Sequence, residues 1–205
     1  MKLFHCKDAR SIRPLWALEE LGIDHELEVM AFPPRSRRPG YLDINSLGTV
    51  PTLVDGDAVL TESSGICHYL AELNAPTPLR VAPGERGYYG YINWLFRSDA
   101  TLTFPLTLVL RYTYLEPEER RSAQVSEDYL VWFLSRLRSV ETALEGGRDF
   151  LVADRFTMAD IAVHYALYFG RNLGLQDRYK PNCLRYLDLH MKRPAFRRAL
   201  EKQSG

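Results

Sequence analysis

Thr49-Val50-Pro51-Thr52-Leu53-Val54-Asp55-Gly56-Asp57-Ala58-Val59-Leu60-Thr61-Glu62-Ser63-Ser64 is the stretch from which the fold can be read. Two short apolar runs flank Asp55-Gly56, a dipeptide that accepts the positive φ angles of a tight hairpin turn. Thr52–Val54 and Ala58–Leu60 are therefore predicted to be paired strands. Ser63 then reads as the N-cap of a helix from Ile66 to about Leu73, with Ile66, Tyr69 and Leu70 facing inward. Pro51 stands just before a strand, a place where the bond to the preceding residue can be cis.

Upstream, Lys2–His5 is a short strand ahead of the polar segment Cys6–Arg10. Ser11 reads as the cap of a helix running to about Leu21, with Pro14 tolerated in its first turn. Leu15, Leu18 and Leu21 share a face, and Gly22 ends the helix. Glu26–Met30 is a second strand, one short helix away from the first, which predicts a parallel βαβ unit. Phe32–Gly48, with Pro33, Pro34 and Pro39, reads as a long irregular connection. The order β-α-β, connection, hairpin, helix matches a thioredoxin-like α/β arrangement.

Downstream the composition changes. Ala75–Gly87 carries three prolines and two glycines and reads as a linker. No segment of strand period follows it. Tyr88–Tyr114 is apolar and aromatic, with Pro105 marking a kink or break. Val125–Leu144 places Leu130, Phe133, Leu134, Leu137 and Leu144 on one stripe. Thr157–Phe169, Leu184–Lys192 and Ala195–Leu200 complete an all-α helical bundle domain, the last two split at Pro194. The predicted division is a thioredoxin-like domain over residues 1–76, a linker over 77–87 and a helical domain over 88–205.

The 205 residues carry 26 Lys plus Arg against 26 Asp plus Glu, so no net basic field favours a nucleic-acid partner. Arg35, Arg37 and Arg38 form either a local basic patch or an ordinary solvated loop. Cys6, Cys67 and Cys183 are scattered and contain no C-x-x-C pair, which excludes a disulfide scaffold, a dithiol motif and a zinc ribbon. Lys7 and Asp8 interrupt any leader-like apolar run, and no uncharged stretch approaches a membrane span. A cytoplasmic protein with no membrane partner and no metal is expected.

Three places offer chemistry. The Val50 backbone, just before a strand, can pair with an extended peptide ligand, or Pro51 is simply a strand-start proline. A helix start at Glu62-Ser63 suits a zwitterionic amino-acid end, with carboxylate on Ser63 and amides and ammonium on Glu62; alternatively it is only a good cap. At the first helix, Ser11 can donate to a thiolate or merely cap, and Cys6 is either a nucleophile or inert packing.

These signals occur in the order and spacing of one site, and the chain resembles the cytosolic glutathione transferase family over nearly its whole length. Residues 11–22, from Ser11 to Gly22, look like that family's first helix. Asn45-Ser46-Leu47-Gly48-Thr49-Val50-Pro51-Thr52-Leu53 and Thr61-Glu62-Ser63-Ser64 look like its two ligand segments. Phe156-Thr157-Met158-Ala159-Asp160 looks like its second-domain capping motif, a structural element.

The resemblance implies a transferase that activates glutathione, as co-substrate, for attack on a small hydrophobic electrophile, with a role in detoxification. Val50, beside Pro51, would pair with the cysteinyl unit, Glu62 and Ser63 would hold the γ-glutamyl end, and Thr49 and Arg37 would lie near the glycyl carboxylate. Tyr91, Trp94, Phe104, Leu108 and Tyr112 are candidates to hold the electrophile, or are core. A homodimer is implied. The activating group departs from the pattern: bacterial and fungal serine-type relatives carry a serine where this chain has Ala9, and the cysteine of beta-class relatives falls at Arg10. His5 lies near where other classes place a tyrosine. Ser11 ranks first as activator, then the backbone amides of residues 9–11, then Cys6. The alternatives are a non-catalytic glutathione-binding or interaction module of the same fold, and a Cys6-dependent thiol–disulfide reductase. Conjugation, dehalogenation, isomerisation and peroxide reduction all remain open.

Overall fold

The computed structural model of the chain describes residues 1–204. Packing divides them into two units: Met1–Arg80 together with the residues from Met191 onward, and Val81–His190.

In the first unit the elements run β1 (Lys2–Cys6), α1 (Ile12–Leu21), β2 (Glu26–Met30), α2 (Pro34–Arg37), α3 (Tyr41–Ile44), β3 (Thr52–Asp55), β4 (Ala58–Leu60) and α4 (Ser63–Leu73). The sheet order is β2-β1-β3-β4; β1 pairs parallel with β2 and antiparallel with β3, which pairs antiparallel with β4. This is the thioredoxin-like arrangement read from the sequence. Alternation along β1 sends Leu3 and His5 to one face and Phe4 and Cys6 to the other. Phe4 and Cys6 pack with Met30 and Tyr41, and Ala9, Ile44, Val50 and Val54 close over that cluster. Helices α1 and α4 pack together, with Leu15, Leu18, Ile66 and Leu70 fully buried. Gly22, at φ 66°, lets the chain turn out of α1 while its amide bonds Leu18 O.

The connection 32–48 is not irregular throughout, because α2 and α3 each contribute a helical turn. Gly48 approaches both turns closely: a Cβ there would stand 2.7 Å from Arg35 Cβ and 3.0 Å from Leu42 Cδ2, and its φ is +61°. The expected cap at Ser63 moves back one residue. Glu62 occupies the N-cap with extended backbone, and Ser63 is the first helical residue.

The second unit is helical: α5 (Tyr88–Arg97), α6 (Phe104–Leu110), α7 (Ala123–Ala143), α8 (Met158–Asn172) and α9 (Pro181–Met191). Pro105 lies in the first turn of α6 and does not break the helical path that joins it to α5. Wide π turns at Ser98–Thr103 and Arg111–Leu115 carry the helical path through, with the Ser98 and Thr103 hydroxyls donating to Leu95 O and Ser98 O. Helix α8 is buried from Met158 to Gly170 and forms the centre of the bundle.

The linear division expected from composition differs from the packing at its end. Helix α10 (Pro194–Lys202) packs on α1, within the first unit. The Trp16 and Phe196 rings lie 4.7 Å apart, and the Arg193 guanidinium donates to both Glu20 oxygens at 2.6 and 2.9 Å. Among the described residues no helix is long and apolar enough to cross a membrane.

Candidate functional site

Two contacts tie the sequence-predicted positions together. The first joins α1 to α4. Arg13 is fully buried, and its Nη1 donates to Ser63 Oγ at 2.8 Å. A buried guanidinium is costly unless its donors are used. Because an arginine can only donate, the Ser63 hydroxyl proton must point to some other acceptor. Helix α4 has no side-chain cap, so its first amides and the positive end of its dipole face the same region as Ser63. Glu62, exposed at the N-cap, places a carboxylate beside them. The arrangement offers donors and positive potential to a carboxylate, and an acceptor to an ammonium group.

The second contact joins the β1–α1 turn to Val50. Ala9 and Val50 pack against the same apolar cluster, so the turn and the residue ahead of β3 are neighbours. Val50 lies outside the β ladder, whose first paired residue on this strand is Thr52. The Val50–Pro51 bond is cis, as the sequence allowed. A small network fixes the segment: Tyr41 Oη donates to Thr49 O at 2.6 Å, and Asn45 Nδ2 donates to Thr49 O and to Thr52 Oγ1, both at 3.0 Å. Thr49 itself is exposed, and Pro51 is buried.

The structure brings Ser11 and Cys6 together in the β1–α1 turn. Ser11 stands at the N-cap but caps nothing with its side chain. Its hydroxyl is fully buried, accepts from Cys6 N at 3.2 Å and donates to Cys6 O at 3.3 Å. Cys6 O also takes the Ala9 amide at 3.1 Å. The Ser11 proton and the Ala9 amide are thus committed to the turn itself. Cys6 is 1% exposed, and burial in its apolar cluster pushes its thiol up to about 11. Burial of this kind disfavours the thiolate, which weighs against a Cys6-dependent reductase. Arg37 is exposed at the end of α2, whereas Arg38 is drawn away to Glu28, which it meets at 2.8 Å. The basic triplet is therefore no single patch.

In the second unit Tyr91 is fully buried and Trp94 nearly so, which makes them core, while Phe104 is half exposed beside Tyr129. Among the described residues no cluster of His, Cys, Asp and Glu could hold a metal ion.

The sequence pattern of the glutathione S-transferase N-terminal domain matches residues 9–73, which include α1, Val50 and the start of α4. A glutathione S-transferase of Triticum aestivum is 30% identical over 190 residues, spanning 90% of this chain and 84% of the relative. The chain belongs to the glutathione S-transferase family. The solved structure of a sphingomonad glutathione S-transferase complexed with glutathione superposes with a TM-score of 0.85 at 26% identity, covering 100% of this chain and 99% of that one. An elongation factor 1-gamma of Prunus avium is also similar, at 27% identity over 189 residues, spanning 88% of this chain and 42% of the relative.

Against that family background, three residues that hold the site went unassigned in the sequence. Arg13 lies within the first-helix segment with no role assigned to it. Tyr41 lies in what looked like irregular chain. Asn45 is part of a motif but carried no assigned role. The one usable signal for Arg13 was its position two residues after Ser11, on the side of α1 that turns inward with Trp16 and Ala17.

Proposed function

We propose that this protein binds glutathione along the Val50 edge and adds its thiolate to a small hydrophobic electrophile. The Arg13–Ser63 pair at the uncapped start of α4 is the observation that carries the reading, because it leaves a hydroxyl proton, helix amides and the Glu62 carboxylate facing one amino-acid end. The γ-glutamyl carboxylate would take the Ser63 proton and the α4 amides, and its ammonium would take Glu62. The cysteinyl unit would pair its backbone with Val50, which brings its sulfur beside the turn at Ala9. Thr49 and Arg37 stand on the side left for the glycyl carboxylate.

The thiolate would be favoured by the positive end of α1 and by Arg10, with Ser11 acting through the turn it closes rather than by direct donation. The sulfur then forms a carbon–sulfur bond at the electrophile as the leaving group departs with the bonding electron pair. Proximity and the raised thiolate fraction supply the acceleration. The cytoplasm, a homodimer and detoxification fit this reading.

The test is a spectrophotometric titration of the thiolate in bound glutathione, paired with turnover of an activated aromatic halide. A bound thiol pKa below that of the free tripeptide, with turnover, supports the reading. Ser11→Ala is expected to lower turnover by less than tenfold, whereas loss of all turnover in a folded variant would assign direct donation to its hydroxyl.

A second reading, a glutathione-binding or interaction module without turnover, is favoured by Ala9, by the committed Ser11 proton and by the similarity to a protein named as an elongation factor. Binding with an unshifted thiol pKa and no turnover would select it.

A further inference from the structure

The amide of Gln203 makes three hydrogen bonds to the turn that opens α1. Its Oε1 accepts from Asp8 N at 3.0 Å and pairs with His5 Nε2 at 3.1 Å, and its Nε2 donates to Asp8 Oδ1 at 3.0 Å. The orientation of the amide is unique. A backbone N–H requires the oxygen and a carboxylate requires the NH2 group, so His5 must carry its proton on Nε2. Gln203 is only 5% exposed and His5 is fully buried, so these bonds have little competition from water. Asp8 holds φ at 56°, a left-handed conformation that a non-glycine residue adopts only when its surroundings impose it.

The geometry of the two helices explains how a residue so distant in sequence arrives there. Helices α1 and α10 have 10 and 9 residues, hence nearly equal lengths. Arg193, ahead of α10, grips Glu20 near the end of α1, while Gln203, just past α10, reaches Asp8 ahead of α1. Between these ends Phe196 packs on Trp16, and Arg198 donates to Glu19 at 2.9 Å.

We propose that Gln203 is a positioning residue for the sulfur end of the glutathione site, holding the β1–α1 turn through Asp8 and His5 in the shape that presents α1 to the thiolate. The inference rests on the glutathione reading above and deepens it. The division of labour is physical. Thr49 and Thr52, on either side of Val50, are held by Tyr41 and Asn45, and Ser63 is held by Arg13, so these contacts do not pass through Gln203. Gln203 holds His5 and Asp8, and Ala9, next in that turn, packs against the cluster shared with Val50. Loosening the latch therefore moves the sulfur's surroundings while leaving the tripeptide's backbone and γ-glutamyl contacts in place.

The experiment compares wild type with Gln203→Ala, Gln203→Glu and the exchanged pair Asp8→Asn/Gln203→Glu. In the pair, a carboxylate at position 203 accepts from the amide and side-chain NH2 at position 8 and from His5, restoring all three bonds with the direction of the one between the two side chains reversed. Three quantities are read: the pKa of the bound glutathione thiol, kcat and KM for glutathione, and hydrogen exchange at the position-8 amide. The single variants should raise the thiol pKa toward that of free glutathione, lower kcat by about tenfold with KM within about twofold, and speed exchange. Gln203→Glu, with two carboxylates facing, should be the more affected, and the pair should recover most of the loss. Folded single variants with unchanged thiol pKa and kcat overturn the inference, as does a pair no better than Gln203→Glu. A wild type that binds no glutathione overturns the glutathione reading and this inference together, an outcome distinct from unaffected variants of a wild type that binds.

Discussion

Helices α4 and α8 both begin with a hydroxyl residue and an acid, and they use them in opposite ways. At α8 the Thr157 hydroxyl accepts from the Ala159 amide at 3.3 Å, and Asp160 returns to the Thr157 amide at 2.9 Å. Asp160 is fully buried and also accepts from Leu151 N and the Tyr186 and Thr157 hydroxyls. That helix start is closed by its own residues. At α4 the acid comes first, at the N-cap, where Glu62 faces solvent, and the hydroxyl of Ser63 turns toward Arg13. A cap hydroxyl followed three residues later by an acid closes a helix start, whereas the reverse order leaves it open. The first arrangement contributes stability, and the second leaves room for binding.

The sharpest way to break this contrast is to remove each acid and hydroxyl in turn. Asp160→Ala, which strands several buried donors, should destabilise the fold by about 3 kcal/mol in urea denaturation, with glutathione affinity of the folded protein retained. A loss of affinity without loss of stability would reverse the assignment.

Asp160 also predicts a pH dependence. Burial pushes its pKa up to about 6, against the hydrogen bonds that favour the carboxylate. The native state therefore holds this proton to higher pH than the unfolded chain, whose value is near 3.8. The stabilisation is complete below that unfolded value and fades as pH rises through 6, by up to about 3 kcal/mol. Asp160→Asn should flatten that part of the stability profile between pH 4 and 7. An identical slope in both proteins would contradict the burial account.

At α4 the expected effects lie on binding. Ser63→Ala should weaken glutathione binding by about thirtyfold, near 2 kcal/mol for a hydrogen bond to a charged group, and should also cost stability, because it removes an acceptor of the buried Arg13 guanidinium. Calorimetry and thermal unfolding on the same samples check both halves. Glu62→Gln should have the smallest effect, about fivefold in affinity with unchanged melting, because an exposed acid contributes little to folding. A melting shift larger than that of Thr157→Ala would show that the two helix starts do the same job.

Much of this was legible in local chemistry. Asp55-Gly56 announced the hairpin, and the Thr157/Asp160 cap was visible as a spacing, since both depend on residues a few positions apart. Val50, Glu62 and Ser63 were legible as positions, although Ser63 proved to be helical rather than the cap. What escaped the sequence was long-range and polar. Arg13 meets Ser63 across 50 positions, and Gln203 meets Asp8 across 195. Periodicity describes which face of a helix is apolar; it does not mark a guanidinium that goes inside because a hydroxyl awaits it. Ser11 shows the same limit. A serine at a helix start fits a cap or a thiolate donor, and only the fold reveals that its proton belongs to Cys6 O.

The central claim is that one amino-acid end is gripped at the start of α4 while the peptide lies along Val50. Isothermal calorimetry of wild type with glutathione and, separately, with cysteinylglycine, which lacks the γ-glutamyl unit, tests it most directly. The account requires saturable heat with glutathione and at least about a hundredfold weaker binding of the dipeptide. Equal affinity for the two, or no heat from glutathione at millimolar concentration, would contradict it.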